Sequence, residues 1–437
     1  MGGRVSTVQL ERPGLTHVAQ QLRHTTPGRL QLTLVRLVAL GLLTGLLAFL
    51  TANQTRTSTD ELGDRAQPLL VSAETIYSAL ADADTTAAQA FLAGGRAPAE
   101  LTKQYDDDLF RVSTALTSAA RRAPAGSEPA ATVRALSTGV TRYAALVAAA
   151  RTANRPGAPE GPAYLSQAST LNRETLQPQA QALFRIAERE MEDGFESAEG
   201  TVLAILFGAA LAALLLALAH TQVKLSVTTK RTFNVPLLCA TALTVLLGLV
   251  STGVLLAQHG RLSVARSEGA TPVTLLSQAR IFVLRERGDE ALALATPSAA
   301  KQYEDDFDTV AQRLSGGHGL LEVASAAVDG PARGAVRSAI EKHDIFVGTH
   351  DEVRGKRDAG DHKGAVALAV GVDNSATFRG LTDDIGRALE DRKQTFDREI
   401  HAAGRGLGVL TVLGPLLTLA VCALAVLGIR PRLEEYR

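Results

Sequence analysis

The side chains best suited to chemistry in this sequence form one cluster that occurs twice. "KQYDDDLFRV", Lys103–Val112, carries Asp106, Asp107 and Asp108 behind Tyr105; "KQYEDDFDTV", Lys301–Val310, carries Glu304, Asp305 and Asp306 behind Tyr303. Three successive carboxylates suggest a divalent metal site or an acid–base pair, and both require the carboxylates to converge. On a helix each residue turns about 100°, so three in a row fan over about 200° and cannot close on one ion. Tyr105, Leu109, Val112 and Leu116 follow four–three–four spacing, as do Tyr303, Phe307, Val310 and Leu314. Each tyrosine is therefore expected to be the first knob of a core stripe. The acids are then a solvated face, and Asp106, Asp107, Glu304 and Asp305 are the candidates for docking a partner.

Other catalytic constellations are missing. His343 and His350 are seven residues apart, about 10.5 Å along one helix face, too far to share a metal unaided. The sequence has no HExxH, no GxSxG and no phosphate-cradling glycine loop followed by Lys and Ser or Thr. Its basic stretches lack interleaved aromatics, which argues against nucleic acid as a partner. A non-enzyme with no cofactor and no metal is expected.

The elements that position these residues begin with four apolar runs, Leu32–Ala52, Thr201–His220, Val235–Gln258 and Leu407–Ile429. Each is long enough to cross a bilayer as a helix of about 20 residues. Only Arg36 falls inside a run, near its start, where it can snorkel to the interface. The polar stretch before the first run is long for a signal sequence, so that run is expected to be a retained span. Met1–Arg36 holds five Arg against one Glu, Thr221–Asn234 holds Lys224, Lys230 and Arg231 with no acid, and the tail "RPRLEEYR" holds three Arg against two Glu. The positive-inside rule puts all three pieces, and hence both termini, in the cytoplasm. Residues 53–200 and 259–406, both net acidic, are then extracytoplasmic domains. Cys239 and Cys422 lie in the apolar runs, so neither domain has a disulfide.

The full expected order is a cytoplasmic arm (1–31), a span (32–52), an outer domain (53–200), a span (201–220), a cytoplasmic link (221–234), a span (235–258), a second outer domain (259–406), a span (407–429) and a cytoplasmic tail (430–437). Breakers divide each outer domain into four helical stretches: "GGRAPA", "RRAPAGSEPA" and "RPGAPEGP" in the first, "TPSAA", "SGGHG" and "DAGDHKG" in the second. The fold class is thus an all-α membrane protein, four transmembrane helices with two duplicated extracytoplasmic antiparallel four-helix bundles. Leu69, Ala73, Ile76, Leu80, Ala83, Ala87 and Ala90 form a continuous stripe, which Arg280, Arg285 and Arg287 interrupt in the second copy. Pro68 and Pro272 predict a bend where each first bundle helix begins. "GLLTG" (Gly41–Gly45) and "GAALA" (Gly208–Ala212) are small-residue patterns expected to let membrane helices pack closely.

The stretch "AETIYSALADADTTAAQAFLAGG" (Ala73–Gly95), the repeated "QYDDD"/"QYEDD" and the tail "RPRLEEYR" together resemble the GlnX-type four-span membrane proteins of actinobacteria. That resemblance implies an amino-acid-sensing system with an extracytoplasmic glutamate-binding lipoprotein (GlnH) and a cytoplasmic serine/threonine kinase (PknG) as partners. It assigns no ligand-binding residue. The architecture alone suggests a non-enzymatic receptor that passes the state of an outer binding protein across the bilayer by biasing two packings of its bundles. A second copy of the chain is a further candidate partner. In the tail, Arg430, Arg432, Leu433 and Tyr436 are the candidates for kinase docking. The competing expectations are an FtsX-like coupling subunit of a cytoplasmic ATPase and an envelope scaffold.

Overall fold

A computed structural model of the chain describes residues 26–92, 99–153, 160–229, 234–295 and 300–434. Among the described residues every regular element is helical, and four helices are long and apolar enough to cross a membrane. The protein is an all-α membrane protein. The chain divides into two compact units: residues 1–57, 198–259 and 404–437 form one, and residues 58–197 and 260–403 form the other.

The first unit contains the four apolar runs. Helix α1 (Thr26–Glu61) supplies Leu37 to its core, α7 (Thr201–Thr229) supplies Leu214 and Leu218, α8 (Val235–Val264) supplies Leu237 and Ala240, and α14 (Val372–Glu434) supplies Val421 and Ile429. Leu42, Leu46, Ile205, Leu216, Leu249, Leu256 and Leu413 point outward, as side chains facing lipid must. Several polar groups inside are satisfied within the bundle, although the Thr51 and Ser251 hydroxyls find no partner among the described residues. Thr44 and Thr244 donate to the carbonyls of Leu40 and Ala240, and Asn234 Nδ2 donates to the Gly428 carbonyl at 2.8 Å. The "GLLTG" glycines mark a close approach of α1 and α14. A Cβ on Gly45 would lie 2.3 Å from Thr418 Oγ1, and one on Gly41 would lie 2.5 Å from Cys422 Sγ. Gly208 and Ala212 are instead exposed, and nothing lies within 4 Å of a Cβ placed on Gly208. That second small-residue pattern therefore packs against no helix of its own chain among the described residues.

The second unit is built from two modules of the same plan. In the first, α2 (Gln67–Leu92), α3 (Ala99–Arg122), α4 (Glu128–Ala153) and a fourth rod of α5 (Glu160–Leu171) and α6 (Gln177–Glu199) pack together. The second contains α9 (Thr271–Ala295), α10 (Ala300–Ser315), α11 (Leu320–Ala327) with α12 (Gly330–Asp358), and α13 (His362–Ala369) with the first part of α14. The stripe Leu69, Ala73, Ile76, Leu80, Ala83, Ala87 and Ala90 is buried along its whole length. Glu74, Tyr77, Ser78 and Ala81, on other faces of α2, are also buried, because α2 additionally packs on α9 of the second module. Both modules thus share one seam, formed by their first helices. Arg280, Arg285 and Arg287 do not spoil a stripe. They belong to the faces of α9 that meet this seam and a polar interior.

Three five- or six-residue π-helical turns, Leu62–Ala66, Asn172–Leu176 and Ala265–Ala270, carry the helices past prolines. Pro68, Pro178 and Pro272 each stand second in the helix that follows. A proline has no N–H to donate to the fourth residue before it. The preceding residue bridges the defect by reaching one position further back: Gln67 donates to Leu62, Gln177 to Asn172 and Thr271 to Arg266. At Pro68 and Pro272, where a bend is expected, the helix runs on through this wider turn. Pro178 shows the same device. Gly269, within the third turn, is a true steric requirement: a Cβ there would lie 2.9 Å from the Cα of Phe396. Between α6 and α7 the helix is broken at Gly200, whose φ of 46° suits glycine.

Candidate functional site

The seam between α2 and α9 is held by buried charges. Asp84, on α2, accepts hydrogen bonds from Ser169 Oγ at 2.9 Å and from Tyr143 Oη and Arg173 Nε at 3.4 and 3.5 Å. Arg173 belongs to the second π turn, and its Nη1 donates to Asp289 of α9 at 2.7 Å. One first-module guanidinium is thus shared by an acid from each module. Asn172 anchors the same turn by donating to the Leu80 carbonyl at 2.8 Å. Gly288 makes the contact feasible, since a Cβ there would lie 2.3 Å from the Arg173 guanidinium. Further along, Arg280 of α9 approaches Glu74 of α2 at 3.5 Å. Burial pushes the Asp289 carboxyl above its ordinary range, and Arg173 pulls it back.

The interior of the second module holds another charged network. Glu304 receives His350 Nε2 at 3.0 Å, Arg354 Nε at 2.6 Å and the guanidinium of Arg357. His350 stacks on Phe307 with centroids 3.6 Å apart, and its Nδ1 lies 3.6 Å from Glu290. Burial disfavours charge on His350, yet the Glu290 and Glu304 carboxylates outweigh it and push its pKa up to about 9. Burial would likewise raise Glu304, but His350, Arg357 and Arg354 hold it down to about 2. One helical turn pair away, His343 Nε2 lies 2.9 Å from Glu286, and both side chains are fully buried. Arg287 pairs with Glu290 at 2.5 Å and covers the Phe378 ring at 5.3 Å.

The two acidic clusters have diverged. Asp106 and Asp107 are exposed beside the buried Tyr105, as their spacing predicts. Asp108 is not part of a solvated face. It is buried, pairs with Arg111 at 2.5 Å, and its pKa is raised to about 6, chiefly by burial. In the second copy Asp305 is exposed and paired with Lys301, while Glu304 is buried. Glu304 is therefore an interior ion-pair residue and is unsuited to docking a partner. Tyr303 is half-buried and is not a core knob, because the buried positions of α10 are Glu304, Phe307, Val310 and Leu314. Of the tail candidates, Arg430 is exposed, Arg432 and Leu433 lie within α14, and Tyr436 lies outside the described residues. Asp106 and Asp107 thus stand on α3, Glu304 and Asp305 on α10, and Arg430, Arg432 and Leu433 on α14.

Two cavities flank the seam, each walled by both modules. One, of about 530 Å³, is lined by Tyr77, Arg173, Glu174, Asp289, Tyr303 and Asp306, among others. The other, of about 650 Å³, is lined by Asp82 and Arg111 from the first module and by Arg280, Arg287 and Arg379 from the second. Sequence spacing pointed to neither, because their charged residues come from helices far apart in the chain. One local signal was available: His343, His350, Arg354 and Arg357 recur at seven, four and three residues, a cationic stripe along one face of α12. Among the described residues no group of three or more His, Cys, Asp or Glu side chains is arranged to hold a metal ion.

No curated protein matches the chain. Residues 58–196 match the family described as the actinobacterial sensor domain, a stretch that coincides with the first module. The first module is thus similar to a sensor domain, which points to a sensing and signalling protein of actinobacterial type.

Proposed function

We propose that this protein is a non-enzymatic transmembrane signal transducer. In this reading it relays the state of an extracytoplasmic amino-acid-binding lipoprotein, for glutamate or aspartate, to a cytoplasmic serine/threonine kinase. The observation that carries it is one of chain continuity. The two seam helices, α2 and α9, follow the first and third apolar helices with only a π-helical turn between them. A partner that altered the seam would therefore act on helices continuous with membrane spans, without a flexible linker to absorb the change. Similarity of the first module to a sensor domain supports the same direction.

The test is made in cells that carry the kinase. Deleting Leu433–Arg437 leaves Arg430 and Arg432 as topological anchors. Cells with this deletion are expected to keep normal levels of the protein but to lose the kinase-dependent phosphorylation response to added glutamate or aspartate. An unchanged response would remove the tail from the relay. An unchanged response in cells lacking the whole protein would overturn the relay itself.

A further inference from the structure

The cavity of about 530 Å³ has the makings of a ligand site in its own right. Its walls come from α2, the fourth rod of the first module, α9 and α10, so anything bound there touches both modules. Three observations bear on what it would hold. First, its charges do not balance. Arg173 is already held by Asp84 and Asp289, which leaves Arg285 facing both Glu174 and Asp306. Arg285 reaches Asp306 at 3.6 Å, whereas Glu174 has no ion-pair partner within 4.0 Å among the described residues. Second, Asp289 is 1% exposed and lines the cavity, yet its Oδ2 accepts no hydrogen bond among the described residues. Arg285 Nε is 3.9 Å from that oxygen, beyond hydrogen-bond reach. A buried carboxylate oxygen without a donor is costly. Third, aromatic rings line the same space: Tyr77, Phe91 and Tyr303. The face of Tyr303 already accepts a cation, with Arg173 at 5.5 Å from its centroid.

An excess of carboxylate, an unfilled acceptor and aromatic walls together favour a ligand that donates hydrogen bonds and carries positive charge on a partly apolar body. We infer that this cavity is a binding site for a small organic cation, an amine whose ammonium meets Glu174, Asp306 and the free oxygen of Asp289 while its carbon frame lies against Tyr77, Phe91 and Tyr303. The duplicated acidic cluster finds a use here that its spacing did not reveal. Tyr303 and Asp306 of the second copy face the cavity, whereas Tyr105 and Asp108 of the first are interior. Glu174 and Arg173 belong to a π-helical turn, a wider turn that recurs at functional sites. The inference does not rest on the relay to a kinase, and its test needs neither kinase nor lipoprotein.

The experiment is calorimetric titration of the full chain, purified in detergent micelles, with empty micelles as the blank. Benzylamine, choline and putrescine serve as amine probes; benzyl alcohol and benzoate present the same ring as benzylamine without charge and with negative charge. At least one amine is expected to bind, with benzyl alcohol and benzoate binding at least about tenfold more weakly than benzylamine or not at all. Glu174→Gln and Asp306→Asn, both at solvent-accessible positions, should each weaken the amine about tenfold while leaving unfolding of the free protein unchanged. Asp305→Asn, which lies outside the cavity, should leave affinity unaltered. Binding of benzoate in preference to benzylamine, failure of all three amines, or amine binding indifferent to Glu174→Gln would each overturn the assignment.

Discussion

Replacing His350 with Gln tests the charged interior of the second module at its most pH-sensitive point. Raising the His350 pKa from its ordinary 6.5 to about 9 means that the folded state holds this proton more tightly than the unfolded chain does. At about 1.4 kcal/mol per unit that is worth about 3 kcal/mol, fully present below pH 6.5 and lost as pH rises through 9. Glu304, held down to about 2 from its ordinary 4.5, acts in the opposite sense: its contribution is present above pH 4.5 and lost as pH falls through 2. Both are in place between about pH 4.5 and 6.5. The groups facing the imidazole are Glu290, Glu304 and Arg354, with Phe307 stacked on its plane. In thermal unfolding of the full chain in micelles, the wild type should lose about 3 kcal/mol between pH 6.5 and 9.5. At about 2 °C per kcal/mol for a unit of this size, the shift is about 6 °C. His350→Gln should melt lower at pH 6.5 and show no such drop. The difference between the two curves isolates His350, because Lys393, whose pKa burial depresses, titrates in both. A variant that keeps the full wild-type drop would refute the assignment of the proton to His350.

The other expectations concern packing, the seam and topology. Tyr105→Ala should cost about 3 kcal/mol or more, since the ring is buried beneath the Arg151 guanidinium at 4.2 Å and beside Tyr143, while Asp107→Asn should stay within about 0.5 kcal/mol in chemical unfolding of the same preparation. Equal losses would return the acids to the interior. Arg173→Met should cost about 3–5 kcal/mol, because Asp84 and Asp289 are then buried without their shared cation, and adding Asp84→Leu and Asp289→Leu should restore most of it; a triple variant no better than the single would show that the pairing is not what the seam loses. Cysteines introduced as Ala125→Cys and Ala359→Cys, both at exposed turns, should react with a membrane-impermeant thiol reagent in whole cells, and Thr228→Cys should not. The reverse pattern would invert the proposed topology.

What was legible in the sequence was whatever depends on neighbours in the chain. The four apolar runs fall in the four helices long and apolar enough to cross a membrane, and the stripe from Leu69 to Ala90 marked the buried face of α2. The breakers gave helix ends such as Arg122, Ser315 and Asp358. The interior ions were hidden for the converse reason. Glu304 is buried because His350, Arg354 and Arg357, some fifty residues away in sequence, neutralise it. Without them a carboxylate beside a tyrosine reads as surface. The buried positions of α3 begin at Tyr105 and Asp108, whereas those of α10 begin at Glu304 and Phe307; the two helices come back into step at Val112 and Val310. A rotation of one residue at the helix start changes which member of a nearly identical motif is inside. Only the contacts with other helices decide it.

The seam also explains why the copies had to diverge. Two identical modules meeting through the same helix would form a self-complementary interface in which every contact occurs twice. Counted from Pro68 and Pro272, the position matching Arg280 is Ile76 and the one matching Glu74 is Gln278, so the Arg280–Glu74 pair has no counterpart. Arg285, Arg287 and Asp289 likewise match Ala81, Ala83 and Thr85. Each ion pair across the seam therefore occurs once, with a cation from the second module on an acid of the first at Glu74, and the reverse at Asp289. The cavities on either side consequently differ in character. One gathers carboxylates and tyrosines, the other guanidiniums. An exact repeat would have offered a ligand two equivalent places and pushed the modules alike from both sides. The diverged pair offers two chemically distinct ones, so that a ligand selective for either would load only one flank of the seam between α2 and α9.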